Sequence, residues 1–430
     1  MTDDAAGVQA RRAALTAIRA VEVGERWSNV AVRDAVAELH EARDRAFASN
    51  LAYETLRWKG TVDRVLGQLV RRSLDDIETD LLLVLRLGAT QVLRSRVEPR
   101  AAVDTSVRLA REVVPEARAD GAAGFVNGVL RTLVRGGDPI VAGIEDEAER
   151  LAHVTGHPRW IVDGLVTMHG LDRTERILAA DNDAPGVTLR VNRDVDGLVE
   201  ELVAQGVSAT RGITPWSVRA PGVDPGRLEA VRTGRAVVQD EASQLVVEAT
   251  GVRPGDRVLD LCAGPGGKAT LLALVAGSEG RVTAVESNAR RAAMVEDSAR
   301  LQGFAMDVHV ADAGEVALGD HDVVLLDAPC TGLGTGRRRP EVRWRRQPTD
   351  VEELAILQRR LLDTAARHVA PGGRLVYSVC TWTAPETVEV ADRHLPGLER
   401  EDRVQLLPDE HATDGMFIAR WSRAATSGTG

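Results

Sequence analysis

The sequence predicts a multidomain protein with an all-α domain, a small α+β domain and a doubly wound α/β domain. Apolar residues recur with helical spacing through residues 1–140. Helical and strand-like patterns mix over residues 141–235. Strands and helices alternate over residues 236–422, which is typical of a parallel sheet covered by helices. The small, polar tail 423–430 is expected to be disordered.

Length and composition limit the class of protein. A chain of 430 residues with 44% apolar residues can form two or three domains with substantial cores. The net charge of −10 gives no indication of nucleic-acid binding, so local clusters matter more. Three cysteines argue against a disulfide framework, and neither a signal-peptide core nor an apolar stretch of ~20 residues is found. We expect a cytoplasmic monomer with no membrane partner and no metal.

Apolar stripes and strand-like patterns predict the elements of the first two domains. The predicted helices of the first domain are 11–23, 45–56, 62–70, 80–93, 103–113 and 125–133. A glycine-rich stretch with Pro139, over residues 135–144, is a candidate linker. The predicted elements of the second domain are helix 157–165, strand 187–192, helix 198–205 and strand 216–220.

The third domain begins with a strand, a glycine loop and a helix in VLDLCAGPGGKAT, residues 258–270. The loop glycines allow a sharp turn and a close approach to a ligand, because no Cβ intervenes. A dinucleotide site or a simple tight turn would explain the loop alone equally well. The predicted strands of this domain are 257–261, 281–285, 307–310, 322–326 and 374–377, and its main helices are 269–275, 289–302 and 351–368.

Three acidic residues follow three successive predicted strands. Glu286 ends the second strand, Asp312 follows the third and Asp327 follows the fourth. Because the carboxyl ends of parallel strands meet at one edge, we expect these side chains to face a common crevice. An acid about 20 residues after a glycine loop typically accepts hydrogen bonds from ribose hydroxyls, although each acid alone could be a helix cap.

Two cysteines occupy equivalent places after neighbouring strands. Cys330 follows the fourth strand and Cys380 follows the fifth. Sequential strands are usually neighbours, so the two thiols are expected to converge beside Asp327. Cysteine is more often a small buried hydrophobe than a nucleophile, and we expect Cys262, inside the glycine loop, to be a packing residue.

A basic cluster lies between the two cysteines. The segment RRRPEVRWRR, residues 337–346, holds six arginines, one glutamate and Trp344. Such a cluster can bind phosphates, and its aromatic ring can stack on a base. A solvated basic loop is the alternative interpretation.

Together these motifs resemble the RNA cytosine-5 methyltransferases of the NOL1/NOP2/Sun family. The matching phrases are QDEASQ (239–244), LDLCAGPGGK (259–268), DAPC (327–330), the segment 331–346 and YSVC (377–380). Residues 46–59 and 124–133 also resemble the helical RNA-binding domain of the NusB antitermination factor, which narrows the resemblance to the ribosomal small-subunit methyltransferase B subfamily. A helical oligomerisation module is the alternative for that domain. The family usually has Tyr-Ser-Thr-Cys and Glu-Asn where this chain has Val379 and Glu386-Thr387.

The resemblance implies a NusB-like domain, an RRM-like accessory domain and a Rossmann-like domain that binds S-adenosylmethionine. It implies that Cys380 is the nucleophile, that Cys330 assists release and that Asp327 serves both the base and the cofactor. The implied cofactor-binding residues are Cys262, Ala263, Gly264, Pro265, Gly266, Gly267, Lys268, Glu286, Asp312 and Asp327. The residues expected to contact RNA are Arg337, Arg338, Arg339, Arg343, Trp344, Arg345 and Arg346.

The implied function is methylation of carbon 5 of a cytosine in RNA, and the subfamily resemblance implies that this RNA is small-subunit (16S) ribosomal RNA. Two other interpretations remain at this point. A non-catalytic RNA-binding or antitermination scaffold would not need the two cysteines and the three strand-end acids. A methyltransferase acting on transfer RNA or protein would share the cofactor site.

Overall fold

The computed structural model describes residues 3–425, so the predicted disorder of the tail falls mostly outside the described residues. The α-helices are α1 (Asp3–Glu22), α2 (Ser28–Val36), α3 (Ala42–Arg57), α4 (Lys59–Leu69), α5 (Thr79–Arg94), α6 (Pro99–Glu112), α7 (Ala119–Gly136), α8 (Glu147–Thr155), α9 (Arg159–His169), α10 (Leu171–Asn182), α11 (Val195–Ala204), α12 (Glu229–Arg232), α13 (Glu241–Thr250), α14 (Gly267–Ala276), α15 (Ala289–Gln302), α16 (Val342–Arg345), α17 (Pro348–Arg367), α18 (Val388–Ala391) and α19 (Pro408–His411). The strands are β1 (Val187–Val191), β2 (Thr210–Arg211), β3 (Ser217–Ala220), β4 (Ala236–Val238), β5 (Arg257–Asp260), β6 (Arg281–Glu286), β7 (Asp307–Val310), β8 (His321–Asp327), β9 (Val369–Val379), β10 (Glu399–Leu406) and β11 (Met416–Ser422).

The chain divides into two compact units. One unit runs to Asn182 and also contains Gly336–Arg346, and the other contains Asp183–Thr335 and the chain from Gln347 onward. This division into two units groups helices α8–α10 with the preceding helices. It does not test the predicted domain boundaries at 140 and 235, which stay predictions. Among the described residues, no helix has the length and apolarity needed to cross a bilayer.

The helical unit is built on the predicted apolar stripes. Residues such as Leu83, Leu87 and Leu130 are fully buried in one continuous core formed by α1–α7. All six predicted helices of this domain are present, with shifted ends. Helix α2 is an additional helix that the sequence did not indicate, because its short pattern SNVAVRDAV carries only two buried apolar residues, Ala31 and Val32.

The segment 336–346 is folded into the helical unit, which does not fit the alternative interpretation of a solvated basic loop. Arg343 is 2% exposed, and its guanidinium donates to the Asp181 carboxylate at 2.6 Å and to Asn182 Oδ1 at 2.8 Å. Asp181 also lies 3.2 Å from His157, and burial together with Arg343 lowers the pKa of His157 to about 4. The neutral histidine leaves Arg343 as the cation that balances Asp181.

Other side chains of this segment make contacts within the same unit. Trp344 Nε1 donates to the carbonyl of Leu56 at 2.7 Å, and Arg345 donates to the carbonyls of Val21 and Arg26 at 2.6 and 2.8 Å. The Glu341 side chain, 0% exposed, accepts from the backbone amide of Ser28 at 2.8 Å. These hydrogen bonds join residues about 300 positions apart, so the segment is part of the packing of the helical unit.

The described residues of the second unit form two sheets. The smaller sheet has the order β2-β3-β1-β4, and its neighbouring strands pair in antiparallel fashion, with α11 packed on the shared apolar core. Both strands predicted here, 187–192 and 216–220, are present. Strand β4 was not predicted, because its three residues continue directly into the next domain.

The larger sheet has the order β10-β11-β9-β8-β5-β6-β7. Strands β9, β8, β5, β6 and β7 are parallel, and the five predicted strands correspond to them. The expectation of an entirely parallel sheet is wrong at one edge, because β11 pairs antiparallel with β9 and β10 pairs antiparallel with β11. Strand β10, EREDRVQL, is charged and mostly exposed, so it lacked the apolar pattern of a buried strand.

Replacing Arg343 by methionine should destabilise the helical unit by about 3–5 kcal/mol, because Asp181 would remain as a buried, uncompensated charge. Arg339→Ala is the matched control, since Arg339 lies in the same segment but is exposed and stacks over Trp27 at 5.2 Å. The control should cost about 1 kcal/mol or less. Urea denaturation of both variants measures the difference, and equal costs would show that Arg343 is a surface residue in solution.

Candidate active site

The pairing of β8 with β9 brings the two predicted cysteines together. In this parallel pair Asp327 lies opposite Ser378, so the loops that follow the two strands start side by side. The Sγ atoms of Cys330 and Cys380 are 3.3 Å apart. Convergence of the two thiols, expected from the strand order, is thus present in the structure. Their hydrogen bond and burial raise the pKa of the Cys330 thiol well above its ordinary value.

A buried glutamate joins the two cysteine loops. Glu386 is 0% exposed and accepts hydrogen bonds from the backbone amide of Thr331 at 2.8 Å and from the Thr331 hydroxyl at 2.6 Å. The Thr381 hydroxyl lies 2.8 Å from the Thr331 hydroxyl and donates to Glu386 at 3.3 Å. Thr331 follows Cys330 and Thr381 follows Cys380, so one carboxylate restrains the residue next to each thiol.

Helix α17 supports the same network from the side. Gln358, fully buried, donates to the carbonyl of Pro329 at 2.9 Å and to Glu386 at 3.1 Å. The Tyr377 hydroxyl donates to Gln358 at 3.1 Å and to the backbone carbonyl of Glu386 at 2.6 Å. Because buried polar atoms are costly when unpaired, this network defines one arrangement of the loops.

Asp327 is held by two side chains at the carboxyl end of β8. Lys268 Nζ lies 2.7 Å from Oδ2, and the Ser378 hydroxyl donates to Oδ1 at 2.7 Å. Burial acts to lower the pKa of Lys268, but the charge of Asp327 and its hydrogen bond, with a contribution from Cys380, raise it above the ordinary value. Lys268 therefore remains an ammonium next to both Asp327 and the thiol of Cys380.

The glycine loop, Cys262–Lys268, joins β5 to α14. A side chain at Gly264 would collide with the carboxylate of Glu286, and Gly266 has a φ of +107°. Both positions therefore require glycine. Glu286 is 4% exposed, and its Oε1 accepts from the backbone amide of Asn288 at 2.8 Å and from Arg291 at 2.7 Å. The acid at the end of β6 thus lies directly against the loop.

Two groups where β5 runs into the loop, the buried Asp260 and the partly buried Cys262, have raised pKa values. Burial and the nearby charge of Asp327 raise the pKa of Asp260 to about 7, and its Oδ1 accepts from the amide of Cys262 at 3.3 Å. Burial, together with Asp260, also raises the pKa of Cys262 well above its ordinary value. Cys262 is therefore a neutral thiol, which is consistent with the expected packing role.

The remaining predicted site residues occupy different environments. Asp312 is exposed, accepts from the amide of Gly314 at 2.8 Å and pairs with Arg360 at 3.3 Å. Arg337 and Arg343 are buried in the helical unit, so the expected RNA contacts of these two side chains do not fit this structure. Among the other cluster members, Arg339 is exposed. RNA contact by Arg338, Arg339, Trp344, Arg345 and Arg346 stays a prediction.

The residues that position the two thiols are not among the predicted site residues. In the sequence, Glu386 stands out only as the neighbour of Thr387, which departs from the family pattern, and Ser378 only as part of the YSVC motif. Gln358 could have been found as a polar residue on the buried stripe of α17, between Ala355 and Leu362. The roles of Thr331 and Thr381 depend on contacts 50 residues apart, which no local pattern reports.

Comparison with known proteins identifies the family. Three family models match in order: the NusB family over residues 8–135, a methyltransferase-associated ferredoxin-like domain over 157–219, and 16S rRNA methyltransferase RsmB/F over 249–422. The ribosomal RNA small subunit methyltransferase B of Pseudomonas putida is 31% identical, over 97% of this chain and 99% of that protein. This chain belongs to the RsmB/F methyltransferase family. Members of this family use S-adenosylmethionine, so the cofactor prediction is confirmed.

Two further comparisons support full-length membership of the RsmB/F family. The protein Rv1407 of Mycobacterium tuberculosis strain H37Rv is 42% identical over 96% of each chain. The crystal structure of PH0851 matches with a TM-score of 0.86 at 26% identity, covering 97% of this chain and 99% of that one. The predicted all-α NusB-like domain, small α+β RRM-like domain and α/β Rossmann-like domain are therefore confirmed, and the model that matches the small domain describes it as ferredoxin-like.

The buried Asp260 makes stability depend on pH. A carboxyl with a pKa near 7 in the folded state and about 3.9 when unfolded holds its proton longer in the folded state, so stability falls as pH rises between these values. Asp260→Asn replaces the carboxyl with an amide that does not titrate, so the variant does not lose stability in this way as the pH rises. The free energy of unfolding of the variant, relative to the parent, should rise by about 2–3 kcal/mol between pH 5 and pH 8.

Denaturant titrations at a series of pH values measure this difference. Asp320→Asn is the control, because Asp320 is an exposed aspartate of the same unit and solvent screens its interactions. A difference that does not change with pH for Asp260→Asn would show that Asp260 is ionised in the folded protein.

Proposed function

We propose that this protein transfers the methyl group of S-adenosylmethionine to carbon 5 of a cytosine in 16S ribosomal RNA, through a covalent bond between Cys380 and carbon 6 of the base. The observation that supports it best is the approach of two thiols to 3.3 Å beside the Lys268–Asp327 pair. The names of the relatives support the RNA substrate, since they are small-subunit ribosomal RNA methyltransferases.

The first step needs an activated nucleophile. Carbon 5 of cytosine is a poor nucleophile, and addition of a thiolate at carbon 6 converts the ring into an enamine whose carbon 5 is reactive. Only the thiolate is competent. The ammonium of Lys268 interacts electrostatically with Cys380, and this attraction favours the thiolate form of Cys380.

Asp327 is oriented to receive the polar edge of the base. Its two oxygens each accept one hydrogen bond, from Lys268 and from Ser378, and both retain lone pairs. A carboxylate held in this way can accept a hydrogen bond from the exocyclic amine of cytosine. When the base carries a proton on its ring nitrogen N3, the carboxylate can accept from that N–H as well, which stabilises the ring as the thiolate adds.

The second half of the reaction restores the aromatic ring. A base removes the proton from carbon 5, the electron pair re-forms the double bond between carbons 5 and 6, and Cys380 leaves as a thiolate. Cys330 lies 3.3 Å from that sulfur, and its raised pKa keeps it a thiol. It can therefore donate a hydrogen bond to the departing sulfur, which lowers the barrier to release.

The glycine loop fits the cofactor that the family uses. Gly264 and Gly267 are partly exposed and present backbone to a ligand, while Glu286 closes the loop from the neighbouring strand. S-adenosylmethionine, when bound, supplies the methyl group as a sulfonium electrophile. The loop and Glu286 would hold it, with Glu286 at the ribose and Asp312 near the adenine.

One face of the substrate base must be accessible to the thiolate. Attack at carbon 6 cannot occur on a stacked base, so the target cytosine must be single-stranded or flipped out. Bisulfite sequencing of ribosomal and transfer RNA from cells with and without the gene identifies the methylated cytosine. Loss of a 5-methylcytosine signal only in transfer RNA would overturn the 16S assignment.

The two thiols should behave differently when replaced by alanine. Cys380→Ala should abolish methylation and any covalent RNA adduct. Cys330→Ala should still form the bond through Cys380 but release it slowly, so a protein–RNA complex that survives denaturing gel electrophoresis should accumulate. The double variant is the control and should show no complex.

A trapped complex with Cys380→Ala instead would mean that the roles of the two cysteines are exchanged. Methylation by both single variants at the parental rate would overturn covalent catalysis and would leave the cysteines as packing residues.

Glu286→Gln should weaken S-adenosylmethionine binding by about 1–3 kcal/mol, as expected for the loss of a charged hydrogen-bond acceptor to a ligand. Asp312→Ala should weaken binding in the same direction. Arg291→Met is the control, because it removes a partner of Glu286 that is itself largely exposed. Isothermal titration calorimetry measures all three variants, and parental affinity in Glu286→Gln would place the cofactor elsewhere.

A further inference from the structure

We infer that Arg190, a residue of the small sheet, is a positioning residue for the glycine loop and thereby sets the affinity for S-adenosylmethionine. This inference rests on the proposed assignment of that loop to the cofactor. On this inference, the small sheet contributes to cofactor binding because one of its residues holds the glycine loop in place.

Arg190 reaches from β1 to the start of α14. Its side chain is 0% exposed, and Nη1 donates to the backbone carbonyl of Gly267 at 3.1 Å and to the Thr270 hydroxyl at 3.1 Å. The Thr270 hydroxyl in turn donates to the carbonyl of Gly266 at 2.7 Å. The guanidinium therefore contacts the carbonyl of Gly267 directly and is linked to the carbonyl of Gly266 through the Thr270 hydroxyl.

The other nitrogen of the guanidinium fixes a second helix. Nη2 donates to the side-chain oxygen of Gln302 at the end of α15, and Asn192 Nδ2 donates to the same oxygen at 3.2 Å. Helix α15 is the helix that follows Glu286, so one residue of β1 contacts both α14 and α15.

The chemistry of this contact argues for a positioning role. Among the described residues, the acceptors recorded for Arg190 are a carbonyl, a hydroxyl and an amide oxygen, and none is a carboxylate. Burying a guanidinium without a countercharge is costly, and an apolar side chain would fill this core position more cheaply. What the guanidinium provides is a planar fork that fixes several oxygens at defined distances.

The structure offers a matched comparison in the same sheet. Arg219 of β3 also joins the small sheet to the methyltransferase domain, through Glu241 of α13 at 2.7 Å. Within the described part of the chain, the hydrogen bonds of its side chain reach Glu241 of α13 and not the glycine loop. Loss of Arg219 therefore weakens the attachment of the sheet while leaving the hydrogen bonds to Gly267 and Thr270 in place.

The experiment measures S-adenosylmethionine binding by calorimetry in the full-length parent, Arg190→Met, Arg190→Lys and Arg219→Met, with thermal unfolding of each. We expect Arg190→Met to raise the Kd by about tenfold or more, because several hydrogen bonds to the loop are lost. Arg190→Lys keeps one donor group, so its Kd for S-adenosylmethionine should lie between those of Arg190→Met and the parent. Arg219→Met should bind as the parent does, even where its melting temperature falls.

Unchanged affinity in a folded Arg190→Met would overturn the inference, as would an equal loss of affinity in Arg219→Met. If Arg190→Met does not fold, Arg190→Lys decides: parental affinity in that variant overturns the inference. Gly264→Val tests the underlying assignment, since it fills the loop against Glu286. Parental affinity in Gly264→Val means that the cofactor binds elsewhere, which is distinct from failure at Arg190 alone.

Discussion

The parallel pairing of β8 with β9 is the constraint on which the candidate site depends. Its register sets Asp327 opposite Ser378, and the loops that carry Cys330 and Cys380 leave the sheet from that point. A slip of one residue would turn Ser378 to the opposite face of the sheet and separate it from Asp327. The apolar strands VVLL and LVYSV fix this register, because both are buried in the interior of the sheet.

Strand pairing determines where the two cysteine loops leave the sheet, and buried polar groups determine how the loops are held relative to each other. Glu386 receives hydrogen bonds next to both cysteines, while Lys268 and Ser378 orient Asp327. Each of these groups is hydrogen-bonded inside the protein, so it specifies one geometry instead of several. The chemistry that we propose needs this precision, since one sulfur must add to the base while the other stays within hydrogen-bond distance of it.

Local patterns predicted most of the fold, because helices and buried strands repeat with short periods. The same patterns failed where the outcome depends on distant partners. The segment 337–346 has the composition of a solvated basic loop, and nothing within it reports that Asp181, 162 residues earlier, receives Arg343. Strand β10 is charged because it lies at the sheet edge, so periodicity could not reveal it. The cysteines and acids were predictable as strand-end residues, whereas Glu386 and Gln358 gain their roles only from the assembled loops.

The use of basic residues follows from their geometry. In a chain whose only two lysines are Lys59 and Lys268, arginines such as Arg190 and Arg343 are buried where they join several oxygens at once. A planar guanidinium with five donors suits that purpose. At position 268 the same fork would engage both oxygens of Asp327 and compete with Ser378 for Oδ1. The compact ammonium of lysine binds Oδ2 alone, leaves Ser378 its partner and places one positive charge beside Cys380. A single compact charge, and not a fork, therefore suits position 268.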